Sequence, residues 1–196
     1  MNPAILNGKK VVDTEGNMLG EVDGIDIDLD RWQATAFYVG LDDEATVNLG
    51  YKKPFLSKIT VCLPTQLVKT VGEIIILKEP IRNLEDIVEK RVLASSTKLK
   101  GKKVIGAKGF VVGEVEGFDI ELSNWQVTGL QVGLTDDAAT ELGFKRPFFS
   151  KVVIIIPSKL VGLVGNFISL DEAIENLESL VECIRSCQKK KNTRLN

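Results

Sequence analysis

The feature that most constrains this chain is an internal repeat with a period of 93 residues. The segment LNGKKVVDTEGNMLGEVDGIDIDLDRWQ, from Leu6, matches LKGKKVIGAKGFVVGEVEGFDIELSNWQ, from Leu99, without a gap. The same shift places LGYKKPFLSK, from Leu49, onto LGFKRPFFSK, from Leu142. This period exceeds the roughly 20–50 residues of solenoid repeats and is long enough for a domain with its own core. We therefore predict two tandem domains, residues 1–94 and 95–187, followed by a basic disordered tail over 188–196.

The pattern of apolar residues predicts that each repeat is mostly β. Over residues 25–29 the apolar side chains occupy odd positions, whereas Val22, just upstream, occupies an even one. Because side chains along a strand alternate between its two faces, one inserted residue is needed to keep both sets inward. We place this β-bulge at residues 23–24, and its copy at 116–117, and expect it to bend the sheet toward a small barrel.

Each repeat is expected to contain five or six strands and one short C-terminal helix. In the first repeat the helix is predicted from the helical spacing of Ile81, Leu84, Ile87 and Val88. Residues 42–57 are expected to form a long irregular excursion between strands.

The charge distribution argues against a nucleic-acid ligand. Residues 1–94 carry 11 Lys and Arg against 15 Asp and Glu, and the second repeat is also acidic once five C-terminal cations are set aside. Nucleic-acid binding draws much of its affinity from neutralised phosphates, which acidic domains supply poorly. The C-terminal cations have two interpretations, a solubilising tail, which we favour, or a contact with anionic lipid.

The apolar runs are too short to cross a bilayer, which takes 18 or more consecutive apolar residues. A cytoplasmic location is the expectation. The three cysteines, Cys62, Cys183 and Cys187, are odd in number and poorly placed for a disulfide framework, so we expect reduced thiols.

Catalysis has little support in the sequence. The chain contains no histidine, so a Ser-His or Cys-His nucleophile pair cannot be assembled. No Gly-rich phosphate loop opens a helix. We predict a protein that is not an enzyme and that needs no cofactor.

Two clusters raise the question of a metal. Asp26, Asp28 and Asp30 lack the glycine and glutamate that complete a calcium-binding EF-hand loop, and an outward strand face explains them better. Cys183 and Cys187 lie one helical turn apart but would need two further ligands for zinc. No metal site is predicted.

The excursion from Leu49 to Lys58, and its copy, combine aromatic and basic residues. Two interpretations are open: the aromatic rings plug the barrel ends, which we favour, or the loops form a protein-interaction surface, where aromatic residues and Arg are enriched. Tyr38 is added because the second copy has Gln131 at this position, which we take to be exposed. The interaction candidates are Tyr51, Lys52, Lys53, Phe55, Phe144, Lys145, Arg146, Phe148, Phe149 and Tyr38.

The order of GKKVVDTEGNMLGEV, an aspartate-rich strand, a WQ strand and LPTQLVKTVGEIIIL resembles the PRC-barrel family, and the resemblance covers both repeats. Paired markers are Gly8 with Gly101, Pro64 with Pro157 and Gly72 with Gly165. The resemblance implies two small β-barrels, each followed by a helix.

The GYKKPFLSK excursion makes the chain most similar to archaeal members of the family. The resemblance to these members implies a protein-binding adaptor in FtsZ-based cell division, recruited to the division site through a SepF-type membrane anchor. Another PRC-barrel protein is a further candidate partner, with homo- or hetero-oligomers as alternatives. A ribosome maturation factor of the RimM kind, binding a ribosomal protein, is the alternative function. A barrel that binds a small molecule is a third hypothesis and requires an internal pocket.

Overall fold

A computed structural model describes residues 6–52, 58–85, 88–90, 99–144 and 151–177. By contacts the chain divides into two compact units. Unit 1 consists of Met1–Thr97 together with Ile120–Gln126, and unit 2 of Lys98–Asp119 together with Val127–Asn196. The described residues are mostly β, as expected, with only short helical segments.

The first repeat forms seven strands and one short helix. In chain order these are β1 Lys10–Val12, β2 Met18–Asp28, β3 Gln33–Leu41, α1 Asp43–Asn48, β4 Thr60–Pro64, β5 Val68–Val71, β6 Ile75–Leu77 and β7 Glu89–Lys90. The strand order is β5-β6-β1-β2-β3-β4-β7, in which β1 and β6 are parallel and the other pairs antiparallel.

Within the described residues, the second repeat forms counterparts of β1–β6 and α1 in the same order. They are β8 Lys103–Ile105, β9 Val111–Glu121, β10 Gln126–Leu134, α2 Asp136–Glu141, β11 Val153–Pro157, β12 Val161–Val164 and β13 Ile168–Leu170. The order β12-β13-β8-β9-β10-β11 repeats that of the first six strands above. Matching residues therefore occupy matching structural positions, as a gapless repeat predicts.

The predicted β-bulge is confirmed in the first repeat. Val22 pairs with Val39 and Gly24 pairs with Tyr38, which leaves Asp23 as the inserted residue. A second irregularity lies on the partner strand: Asp26 pairs with Ala36 and Ile27 pairs with Ala34, which leaves Thr35 of β3 as the extra residue. The two irregularities of the β2–β3 pair curl the sheet, because each bulge adds a local bend and twist.

Glycines allow neighbouring strands to approach unusually closely where the sheet curls. A Cβ atom on Gly20 would lie 2.1 Å from the carbonyl oxygen of Gly40, and one on Gly113 would lie 2.2 Å from that of Gly133. Real Cβ atoms do not approach backbone this closely, so both repeats require glycine at this point.

The core of unit 1 is built around Phe37, which is fully buried. Trp125, in the Ile120–Gln126 segment of this unit, packs edge-on against it, with ring centroids 5.4 Å apart and an interplanar angle of 80°. The carbonyl oxygen of Trp125 accepts a hydrogen bond of 2.8 Å from the N–H of Ala34. Segment 120–126 thus completes the packing of this core.

The helix predicted near residue 81 is wrong for the first repeat. Ile81–Asn83 form a 3₁₀ turn, and Glu89–Lys90 form the short strand β7. The apolar residues at 81, 84 and 88 are buried. Their spacing therefore reflects side chains packed against the core and does not indicate an α-helix. In the second repeat residues 174–177 are helical, and the rest of that predicted helix lies outside the described residues.

The excursion from residue 42 is also more regular than predicted. It opens with α1, whose N-terminus is capped by Asp42: the carboxylate accepts a hydrogen bond of 2.7 Å from the N–H of Ala45. In α2 the hydroxyl of Thr135 accepts the equivalent bond from Ala138. Capping residues of these kinds are strong helix-start signals, which the sequence analysis missed.

Candidate functional site

Six of the ten interaction candidates lie outside the described residues: Lys53, Phe55, Lys145, Arg146, Phe148 and Phe149. The structure places the other four, Tyr38, Tyr51, Lys52 and Phe144. Tyr51 and Phe144 hold matching positions in the two repeats, at the start of the candidate loops.

The ends of α1 and α2 determine where these two aromatic residues lie. Gly50, at φ 71°, donates its N–H to Val47, and Tyr51 donates its N–H to Thr46. This is a Schellman motif, which needs a residue in the left-handed region and favours glycine. Gly143 and Phe144 repeat the arrangement. The backbone therefore leaves each of the two helices with the same local geometry.

Tyr51 is a packing residue at the base of its loop. Its ring lies half-buried against the core of unit 1, and its hydroxyl donates to the carbonyl oxygen of Val88 over 3.3 Å. Phe144 is half-buried and Lys52 is exposed. Of the described candidates, Lys52 is the one whose side chain is available to a partner.

Lys151, the last residue of the second candidate loop, contacts the predicted bulge position at residues 116–117. Lys151 forms an ion pair of 3.3 Å with Glu116, whose side chain also covers Gly133. Both partners are well exposed, so the pair adds little to the stability of the fold.

Tyr38 is buried, with 2% of its surface accessible, although the sequence analysis treated it as exposed. Its hydroxyl donates to the carboxylate of Asp26 over 3.1 Å. In the second repeat Gln131 takes its place and donates to Asp119 over 3.2 Å. The divergence at this position therefore preserves a hydrogen bond to the same acidic residue.

The carboxylates of Asp26 and Asp28 in β2 accept hydrogen bonds from nearby groups. Asp26 also accepts from the hydroxyl of Thr35, and Asp28 accepts from the backbone N–H groups of Asp30 and Arg31 at the turn. Within the described ranges, no group of three or more Cys, Asp or Glu side chains forms a candidate metal site. Cys183 and Cys187 lie outside those ranges.

Each unit has an open cleft that the sequence analysis did not anticipate. The first cleft, of about 270 Å³, lies between the β1–β2 turn, the end of α1 and the 3₁₀ turn. The second cleft, of about 340 Å³, lies at the matching position. The first is lined by Asp13, Glu15, Asn17, Asn48, Ile81 and Arg82. The second is lined by Lys108, Gly109, Phe110, Glu141, Ile174 and Glu175.

An ion pair lies across each cleft, and its charges are reversed between the repeats. Arg82 contacts Glu15 at 2.7 Å in the first cleft. In the second, Lys108 replaces the glutamate and Glu175 replaces the arginine, at 2.9 Å. The hydrogen bond that Arg82 donates to the carboxylate of Glu15 raises the pKa of Arg82. The pKa of Glu175 is lowered, first by a backbone hydrogen bond within the residue and then by Lys108.

The remaining linings differ in polarity. Phe110, half-buried, stands where the first cleft has the exposed amide of Asn17, and Glu141 stands where it has Asn48. The two clefts thus share a location and an ion pair but offer different surfaces. The exchange of Glu15 and Arg82 for Lys108 and Glu175 was visible in the sequence as a paired charge reversal at the repeat period.

The comparisons with known proteins are sparse. No family model matches the chain, and no curated protein matches it. Among solved structures it is similar to a chain from Pseudomonas aeruginosa that carries the name 16S ribosomal RNA processing protein RimM. The identity is 14%, the alignment covers 85% of this chain and 95% of that chain, and the TM-score is 0.24, which supports no conclusion about this protein. Among the described residues no helix has the length and hydrophobicity needed to cross a membrane.

Proposed function

We propose that this chain is a non-enzymatic, protein-binding adaptor made of two PRC-type barrels, each with its own binding face. The observation that carries the proposal is the pair of clefts at matching positions with reversed charges and different polarity. Duplication preserves a surface, and divergence of its side chains then allows two partners, or two sites on one partner, to be distinguished.

We include the candidate loops in this binding face, with Lys52 as their exposed residue in the described part of the chain. Lys52 follows Tyr51 directly, and Tyr51 is held by the Schellman motif at the end of α1. The remaining loop candidates belong to the same proposal. Aromatic and basic side chains of this kind supply binding energy when a partner buries them.

Two settings for the adaptor follow from the family resemblance. In the first, it binds a SepF-type membrane anchor in cell division and is recruited to the division site. In the second, it binds a ribosomal protein during ribosome maturation, as resemblance to the RimM kind of PRC-barrel protein implies. The experiment below distinguishes the two settings.

The test exchanges the charges of one cleft while keeping its ion pair. The double variant Lys108→Glu/Glu175→Arg gives the second cleft the charge order of the first. Because the opposite charges remain adjacent, the unfolding midpoint should stay within about 2 °C of the wild type. We expect quantitative affinity capture from native lysate to lose at least nine-tenths of one partner, either a SepF-type protein or a ribosomal protein.

The matched control is Glu15→Lys/Arg82→Glu, which makes the same exchange in the first cleft. If the two clefts have separate roles, this variant should retain the partner that the other one loses. Capture that is unchanged in both variants would rule out the clefts as the binding faces.

A further inference from the structure

The hairpin formed by β12 and β13 has an apolar, exposed edge. The sequence from Leu160 to Leu170 contains no charged residue. Leu163 is 75% exposed and Phe167 is 47% exposed. Within the part of the chain that the structure describes, β12 pairs with β13 alone, so one side of β12 is an open strand edge.

The matching hairpin of the first repeat is built differently on its surface. Lys69, Thr70 and Glu73 occupy the positions of Gly162, Leu163 and Asn166. Charged residues on an edge strand oppose pairing with another strand edge. The edge of β5 therefore carries charged side chains that oppose pairing with another strand, whereas β12 has no charged side chain.

The backbone of both hairpins is held in the same way. Lys9 donates to the carbonyl oxygen of Gly72, and Lys102 donates to that of Gly165. On the inner side of β12, the N–H of Leu163 donates to the hydroxyl of Ser169 over 2.9 Å. The difference between the repeats is thus one of surface chemistry on a hairpin of shared geometry.

We propose that β12 pairs edge to edge, in antiparallel orientation, with β12 of a second copy of this chain. A two-fold axis places each residue opposite residues of the same strand, so any charge on the edge meets its own copy. β12 satisfies this electrostatic condition, whereas β5 would bring two Lys69 side chains together. The carboxylate of Asp171 lies beside Gly162, but Asp171 follows β13 and is not a residue of the pairing strand, whereas Lys69 lies within β5.

The strand length sets the expected strength. β12 has four residues, so a two-stranded junction with its flanking apolar side chains falls at the small end of specific interfaces, below about 1,200 Å². Such interfaces associate weakly and depend on concentration. We expect a monomer–dimer equilibrium with a dissociation constant on the order of 10–100 μM.

Sedimentation equilibrium of the full chain, from about 5 to 500 μM, tests the proposal. The mean mass should rise from 21.5 kDa toward twice that value as concentration increases. Leu163→Lys should keep the protein monomeric throughout, because a charged lysine on an edge strand opposes its pairing with another strand edge. Thr70→Lys, the same change at the matching exposed position of β5, should leave the dimer unchanged.

A milder variant guards against misfolding. Leu163→Thr introduces the side chain of the first repeat and should weaken association at least tenfold, with an unchanged circular dichroism spectrum. A wild-type chain that stays monomeric at 500 μM would overturn the proposal, as would a dimer that survives Leu163→Lys or is lost in Thr70→Lys.

Discussion

The side chain of Asp13 links the β1–β2 turn, near the start of the first repeat, to the 3₁₀ turn near its end. It is 2% exposed, and its carboxylate accepts from the N–H groups of Glu15 and Asn17 at the β1–β2 turn and from the N–H of Ile81 in the 3₁₀ turn. Burial alone would raise its pKa, but these hydrogen bonds, that of Ile81 first, hold the pKa below its ordinary value of 3.8. Gly106 stands at the matching position of the second repeat, so this link belongs to the first repeat alone.

We predict that Asp13→Ala destabilises unit 1 by about 2–3 kcal/mol, because it leaves the buried N–H of Ile81 without an acceptor and removes a cap from the turn. Denaturant unfolding at pH 7 measures this value. Asp30→Ala, an exposed turn residue, is the control and should change stability by less than about 0.5 kcal/mol.

The lowered pKa of Asp13 also predicts a pH dependence. A carboxylate with a depressed folded pKa stabilises the protein fully above its unfolded value and loses that contribution as the pH falls through the folded value. The difference in stability between the wild type and Asp13→Ala should therefore be constant above pH 5 and decrease below about pH 3.8. A difference that stays constant down to pH 2 would show that the carboxylate charge has no part in the link.

At the scale of elements, the curled strands depend on close contacts that only glycine permits. Gly20 faces Gly40 in one repeat and Gly113 faces Gly133 in the other. A bulge alone bends a strand, but the near contact of two backbones lets the bent strand remain paired with its neighbour. The close approach accounts for glycine at positions 20 and 113. At Gly40 and Gly133 a Cβ atom would instead lie 2.5 Å from the carboxylate of Asp23 and 2.7 Å from that of Glu116.

We predict that Gly113→Ala destabilises unit 2 by more than about 3 kcal/mol, because the new methyl group would overlap the backbone of Gly133. Thermal unfolding monitored by circular dichroism is the measurement. Gly165→Ala is the matched control, since nothing lies within 4 Å of its Cβ position. Similar melting temperatures for the two variants would contradict the role of the close contact.

At the scale of the whole molecule, unit 1 takes part of its core from a segment distant in sequence. Trp125 packs on Phe37 in the left-handed backbone region, at φ 61°, which is costly for a residue with a Cβ. Gln126 supports this conformation by donating from its amide to the carbonyl oxygen of Trp32 over 2.8 Å. Such backbone strain persists where surrounding contacts outweigh it.

We predict that Trp125→Ala, made in the full chain, lowers the stability of unit 1 by about 2 kcal/mol, because it removes a half-buried aromatic ring from its core. Hydrogen exchange should show faster opening at the amides of β3. Ser123→Ala, an exposed change in the same turn, is the control and should leave exchange unaltered. Exchange that is identical in the wild type and Trp125→Ala would show that residues 1–97 form this core without the segment.

The repeat, the β content and the bulge at Asp23 are predictable from the amino-acid sequence, because each produces a regular pattern of residue types along the chain. The capping residues of α1 and α2 are present in the same sequence as signals of a helix start. Three-dimensional packing was needed to show that Tyr38 is buried on Asp26, that residues 81–83 form a 3₁₀ turn, and that matching clefts carry reversed ion pairs. These features depend on partners far along the chain, such as Asp13 for Ile81 and Glu15 for Arg82, and local periodicity does not specify which distant groups meet.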